Sequence, residues 1–254
     1  MARLTIKELL AGKGKKKLTM VALNDFDTAQ ACEMAGIDMI ACSSVGFPQV
    51  RAGAPNLFIR PATPRPTYKA SDADAIRACY SLMEQGADAV YMCPGLDRIK
   101  AVSKMHIPVF GHVGLVPDHL TWIGGHRAVG KTADEALKVY RDVIAHQDAG
   151  AVGVEMEVVP HKIAAEISKR VEIHVISLGS GPGCDSEMLF ACDMLGSHNK
   201  HYPRHAKRYR NFFEDSVEAF KEFNREVDDR SFPEKKNIVG IKDEEFERFM
   251  NEID

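Results

Sequence analysis

Two acidic residues, Glu155 and Glu157, stand two apart in the stretch "AVGVEMEVVP". On a strand, both side chains leave the same face. An inward carboxylate in a dry site gains proton affinity and can serve as a general base; a carboxylate at a solvated rim cannot. Glu157, nearer the strand's end, is the candidate base. His112 follows an apolar run in "PVFGHVGL", either as a catalyst or as a hydrogen-bonded structural histidine. Hydroxyls and thiols close other apolar runs: Ser43 and Ser44 end "IACSSVG", and Tyr91 and Cys93 end "DAVYMC". Asn24 and Asp25 follow "LTMVAL". Cys42 and Cys93, both at run ends, can form a soft-metal pair or leave Cys93 as a nucleophile. The glycine-rich "SLGSGPGCD" at 177–185 can cradle an anion with backbone N–H groups or simply make a tight turn. Its spacing is neither that of a Walker loop nor that of a dinucleotide fingerprint. No His, Asp or Glu cluster has metal-ligand spacing, and no residue is assigned to a metal.

These residues need a scaffold that gathers strand ends. One unit recurs: a capped helix, a glycine, then a short apolar strand, at 25–42, 71–93 and 132–157. Each helix opens on an acceptor with a polar residue three places on: Asp27 and Gln30, Ser71 and Asp74, Thr132 and Glu135. Each closes at a glycine suited to a left-handed cap: Gly36, Gly86 and Gly150. The strands that follow are continuously apolar, as in parallel sheets covered on both faces. Further strands are expected at 18–23, 106–114 and 172–179, and a helix from Pro160 to about Arg170. Roughly seven or eight alternating units without a linker favour an α/β fold of the (β/α)8 TIM barrel type over a doubly wound sheet. In such a barrel the chemistry sits at the C-terminal strand ends, where the residues above fall. The barrel domain is expected over residues 1–233, with an extension and short helix over 234–254. Residues 203–230 read as an amphipathic helix carrying Phe212, Phe213, Val217, Phe220 and Phe223 for a core or another subunit.

The chain has 254 residues, 45% of them hydrophobic and 27% charged, as in an ordinary soluble domain with room for a substantial core. A net charge of -3 provides no field for nucleic acid or an anionic membrane surface. No apolar run reaches the roughly 18 residues a membrane span requires, and no signal-peptide pattern opens the chain. A cytoplasmic setting is expected, with the six cysteines reduced.

The stretches "PVFGHVGLVP", "IGGHRAVGKT", "EMEVVP", "ISLGSGPGCD", "ACDMLG" and "KRYRNF" together resemble the ketopantoate hydroxymethyltransferase family, from about residue 4 to 233. That family is a (β/α)8 barrel of the phosphoenolpyruvate mutase and isocitrate lyase superfamily. Its members are commonly homo-oligomers. The resemblance implies transfer of a hydroxymethyl group from 5,10-methylenetetrahydrofolate to 3-methyl-2-oxobutanoate, a step of pantothenate biosynthesis. It further implies that Glu157 is the base, that His112 matches the family's histidine, and that Ser44 matches its serine. The family's Mg2+ chelates the 2-oxo acid. Its ligand positions fall here on Ser43, near Ala62, and on Cys93, with Tyr91 where the family has Lys. A hard dication prefers carboxylate oxygens, so altered or absent metal dependence is expected. Loss of about 4 kcal/mol of enolate stabilisation corresponds to roughly a thousandfold in rate.

The reading is therefore a hydroxymethyltransferase-like enzyme of enolate chemistry on a small 2-oxo acid. Glu157 and His112 are catalytic, and Ser43, Ser44, Tyr91, Cys93, Asp25 and Arg60 line the substrate site. Arg60 or Arg65 stands close to the replaced carboxylate and can take over the cation's charge. A superfamily C–C lyase and a non-catalytic binding or assembly homologue are the alternatives.

Overall fold

The computed structural model describes residues 3–65, 70–93 and 95–253. Eight parallel strands close into a barrel in sequence order. They are β1 (Leu18–Ala22), β2 (Met39–Ser43), β3 (Phe58–Ala62), β4 (Val90–Tyr91), β5 (Val109–Gly114), β6 (Gly153–Glu157), β7 (His174–Leu178) and β8 (Ser186–Phe190). The expected (β/α)8 barrel is what the chain forms. Two strands, β3 and β8, had no counterpart among the expected runs. β3 reads "FIRPA", and an arginine and a proline interrupt its apolar pattern. β8 reads "SEMLF" and follows a loop rather than a helix.

Period-two alternation sorts the side chains. Met20, Met39, Phe58, Phe110, Ile176 and Met188 fill the barrel, where Leu9 from the helix Ile6–Ala11 joins them. Their strand neighbours Val21, Ile40, Ile59 and Val109 face outward against helix residues such as Ala29, Cys79, Ile99 and Val102. On the other side Val113, Val154 and Val175 meet Val139, Val143 and Ile167. Full burial of each such side chain contributes roughly 1.5–3 kcal/mol. Cys42 belongs to the outward layer, so it does not share an interior pocket with Cys93. Burial pushes the two thiols up to about 12 and about 11, respectively, which leaves both protonated.

Of the expected caps, Ser71 and Thr132 accept from Asp74 N–H and Glu135 N–H. The first helix starts earlier than its spacing indicated. It runs Phe26–Ala35, and Asp25 rather than Asp27 caps it, accepting from Thr28 N–H at 2.8 Å. Gly36, Gly86 and Gly150 all adopt positive φ at the helix ends.

Within "SLGSGPGCD" residues 182 and 183 form a turn, and the segment as a whole serves as a crossover. Residues 179–185 alone carry the chain from β7 to β8, a crossover that ordinarily takes a dozen residues or more and a helix. The chain slides between β7 and the helix His161–Arg170. A Cβ on Gly181 would lie 2.5 Å from His161 Cβ, and one on Gly183 would overlap Ala165. Ser180 pins the start of the crossover. Its hydroxyl donates to Met156 O at 2.7 Å and accepts from Val159 N–H at 3.0 Å. Gly183→Ala is expected to destabilise the fold by about 1–3 kcal/mol through overpacking, measured by urea denaturation. A change below about 0.5 kcal/mol would show that the crossover has slack.

The chain divides into two compact units, one of residues up to Met194 with 201–208, the other of Leu195–Lys200 with Tyr209 onward. In the second unit the expected long helix is shorter, Phe212–Asp228, because Pro203 and the polar run after it stay irregular. None of its residues is buried, so its phenylalanines do not enter a core within the chain. Phe223 packs edge-on against Phe232, with centroids 5.6 Å apart. The tail forms a helix, Asp243–Ile253. No helix among the described residues is long and apolar enough to cross a membrane.

Candidate active site

Register places five interior side chains at neighbouring heights. Tyr91 of β4 pairs with Ala62 of β3 and with Phe110 of β5. His112 of β5 pairs with Glu155 of β6, and Gly114 with Glu157. Arg60 of β3, 1% exposed, reaches across and forms a hydrogen-bonded ion pair with Glu155. Its guanidinium carbon lies 4.7 Å from the Tyr91 ring centroid and 5.3 Å from that of Phe110, so aromatic faces hold its plane.

His112 joins the two glutamates. Its Nδ1 lies 2.6 Å from the Tyr91 hydroxyl and 3.4 Å from Glu155 Oε2. Its Nε2 lies 3.1 Å from both Leu115 O and Glu157 Oε2. Burial alone would push the imidazole down. The carboxylates of Glu155 and Glu157 outweigh that, and its pKa rises to about 9. At neutral pH His112 is therefore an imidazolium that donates from both nitrogens. Burial would push Glu155 up, but Arg60 and His112 reverse this and bring it to about 2. Tyr91 is pushed well above its ordinary value, first by burial and then by Glu155.

The two glutamates thus have separate duties. Glu155 is a fixed counter-ion, too weak a base to take a carbon-bound proton. Glu157 is half-buried, with Oε2 on His112, and its Oε1 accepts no hydrogen bond among the described residues. That oxygen is available to a substrate.

The remaining expected site residues divide. Ser43 closes β2 and stabilises the turn after it: its N–H donates to Asn24 Oδ1 at 2.7 Å, and its Oγ accepts from Gly46 N–H at 3.0 Å. Ser44 is half-buried on the same turn. Cys93 is 1% exposed and hydrogen-bonds the Tyr91 hydroxyl. Asp25 is not gathered into the interior; it is exposed, with its carboxylate committed to the helix cap. Arg65 lies outside the cluster, pairing with Asp118 at 3.0 Å. Glu155 as the partner of Arg60 went unassigned in the sequence. Its signal was a lone arginine inside an apolar strand, which requires a buried carboxylate.

Beside His112 and Gly114 opens a cavity of about 750 Å3. Leu96, Val116 and Trp122 supply apolar wall; Arg127 and Lys138 also line it, paired with Glu135 and Asp142, and Asp97 adds a further carboxylate.

Buried histidines give folding stability a pH dependence on both sides of neutrality. His174 is neutral in the barrel floor, bonded to Ser186 Oγ at 3.0 Å, and burial lowers its pKa to about 4. Its contribution is present above the unfolded value near 6.5 and is lost as pH falls toward 4. His112 is raised, so its contribution is present below 6.5 and is lost as pH climbs toward 9. Each contributes on the order of 3 kcal/mol, and stability is expected to peak near pH 6.5. Denaturation midpoints from pH 4 to 9 test this, and a flat profile would contradict it.

The ketopantoate hydroxymethyltransferase family model matches residues 45–235. The chain belongs to that family. It is 33% identical over 266 residues to 3-methyl-2-oxobutanoate hydroxymethyltransferase 1 of Methylibium petroleiphilum, covering 95% of this chain and 90% of that one. It is 35% identical to the Deinococcus radiodurans enzyme of the same name, covering 89% of each. Among solved structures, 2,3-dimethylmalate lyase matches with a TM-score of 0.58 at 14% identity, over 95% of this chain and 91% of that one. Phosphonopyruvate hydrolase, solved with oxalate and Mg++, matches with a TM-score of 0.56 at 13% identity, over 98% of each. The two solved structures share the barrel.

The ketopantoate hydroxymethyltransferase family implies Mg2+, and the residues present do not fit one. Ala62 has no ligand atom, Cys93 carries a protonated thiol, and the Ser43 hydroxyl is engaged by Gly46. Glu155 is held by Arg60 and His112, and Glu157 keeps one free oxygen, a single ligand rather than a set.

Proposed function

We propose that this protein transfers a hydroxymethyl group from 5,10-methylenetetrahydrofolate to 3-methyl-2-oxobutanoate or a close 2-oxo acid, giving the 2-dehydropantoate type of product. One observation carries the reading: Glu157 presents a free oxygen beside the buried His112 ring, while Glu155 is locked by Arg60. Glu157 takes the proton from C3 of the 2-oxo acid. The C–H electron pair moves into the C2 carbonyl and forms an enolate. Positive charge and N–H donors at fixed positions stabilise that oxyanion in a water-poor interior. The donor's methylene leaves both folate nitrogens, with a water molecule supplying its oxygen to make formaldehyde and a proton to each nitrogen. The enolate carbon then bonds that carbon, and the alkoxide formed takes the proton held by Glu157. Ser44 and Tyr91 supply hydroxyl groups to position the substrate.

The cavity beside His112 suits the donor's aromatic heterocycle, which matches Trp122 and the apolar wall of Leu96 and Val116. Product formation followed by mass spectrometry tests the reaction. Trp122→Ala should raise KM for the folate roughly three- to tenfold with kcat preserved. An unchanged KM would remove the folate from this cavity, and no product from any branched 2-oxo acid would remove the reaction.

Self-association belongs to the same proposal. Phe220 is 69% exposed, Phe223 51% and Phe249 53%, on helices with no buried residue. Apolar area of this kind favours a second copy of the chain. Sedimentation should show an oligomer; a monomer at micromolar concentration would contradict it.

A further inference from the structure

The interior of this barrel carries its own positive charge. Arg60 is buried and always ionised, and its plane is fixed by Tyr91 and Phe110. Glu155 does not saturate it: Nε has no hydrogen-bond partner. His112, 4% exposed, lies between the two glutamates, whose carboxylates raise its proton affinity and favour a second cation. A hard dication needs oxygen donors, above all carboxylates that are free to coordinate. Here Ser43, Ala62 and Cys93 stand at the strand ends, and both interior carboxylates already face Arg60 or His112. A divalent ion in this interior would lack a ligand set and would lie beside two positive charges.

We infer that this centre works without a divalent cation, and that the Arg60 guanidinium, together with the His112 imidazolium, supplies the charge that binds the 2-oxo acid and stabilises its enolate. The inference rests on the proposed reaction and deepens it. The ligand class is a small 2-oxo acid, or a planar dianion of enolate shape, bound by charge and hydrogen bonds rather than by chelation. Arginine suits that duty because its planar fork offers two donors to a carboxylate or to an enolate oxygen and its neighbour. Enolate formation itself requires no oxidant, reductant or further reactant.

Oxalate, a planar dianion shaped like the enolate, is the probe. Its binding to the full chain is measured by calorimetry after chelator treatment, in EDTA and in millimolar Mg2+, for wild type and for Arg60→Lys. Wild-type affinity is expected to agree within about twofold in the two buffers. Arg60→Lys, which loses the fork, is expected to bind at least about tenfold more weakly, with no restoration by Mg2+. Oxalate binding that requires Mg2+ would overturn the inference and leave the proposed reaction standing. Equal affinity of Arg60→Lys and wild type would remove Arg60 from the site. No binding in either buffer would overturn the proposed reaction itself. The wild-type comparison decides the cation question alone if Arg60→Lys does not fold.

Discussion

Glu157→Gln is expected to lower turnover, and the exchange of the C3 proton of 3-methyl-2-oxobutanoate with D2O, by about 10²- to 10⁴-fold. The amide keeps the size of the carboxylate and an oxygen that can still accept from His112 Nε2, so the geometry survives while the basicity is lost. Folding stability should also fall, by less than for Arg60→Met, because His112 loses one of the two carboxylates that hold its charge while the neutral amide leaves no buried anion behind. Both steps must fall together, since a general base acts before the one-carbon unit enters. If exchange persists within a few-fold of wild type, Glu157 is not the base. Glu155 cannot substitute for it, because its pKa is held near 2 by Arg60 and His112 against the upward push of burial.

Arg60→Met should produce the largest loss of stability of any single substitution in the interior, about 3–5 kcal/mol. The reason is the carboxylate left behind. Glu155 is 6% exposed, and its other cation, His112, is shared with Glu157. Stripped of Arg60, Glu155 is an under-compensated buried charge, and its pKa must rise. The double variant Arg60→Met with Glu155→Leu removes both charges and should recover most of the loss, because apolar replacement of a buried pair is often near neutral. Urea denaturation at pH 7 of both single variants and the double variant gives the coupling. A single-variant loss below about 1 kcal/mol would show that the pair is relaxed or wetted.

The fold was legible where its rules are local. The units at 71–93 and 132–157 carry helix caps, glycine stops and apolar strands within one short window each, and they form as written. The first helix cap slipped by two residues because Asp25 and Asp27 are both good caps, and only the exit direction of β1 decides between them. β3 hid behind Arg60 and Pro61, which lower the strand pattern for a reason that lies 95 residues away at Glu155. The glycines of 179–185 were visible, but their purpose was not. Close approach to Ala165 and His161 is a tertiary fact, whereas an anion cradle and a turn are local ones.

The site was legible in its residue types and less so in its pairings. Glu157, His112 and Tyr91 are brought together as their strand-end positions implied. Asp25 looked equivalent by position, yet it spends its carboxylate on a helix terminus. Ser43 was read as lining the substrate site; its hydrogen bonds hold a turn. The division of labour between Glu155 and Glu157 follows from which of them Arg60 reaches, and strand spacing contains no such information.

The central claim is that Glu157 generates an enolate from a 2-oxo acid inside this barrel. The direct measurement is proton NMR of 3-methyl-2-oxobutanoate in D2O with the wild-type protein and no folate. Enzyme-dependent loss of the C3 proton signal, abolished by Glu157→Gln, is the predicted result. A C3 signal that decays no faster than in protein-free buffer would contradict the account.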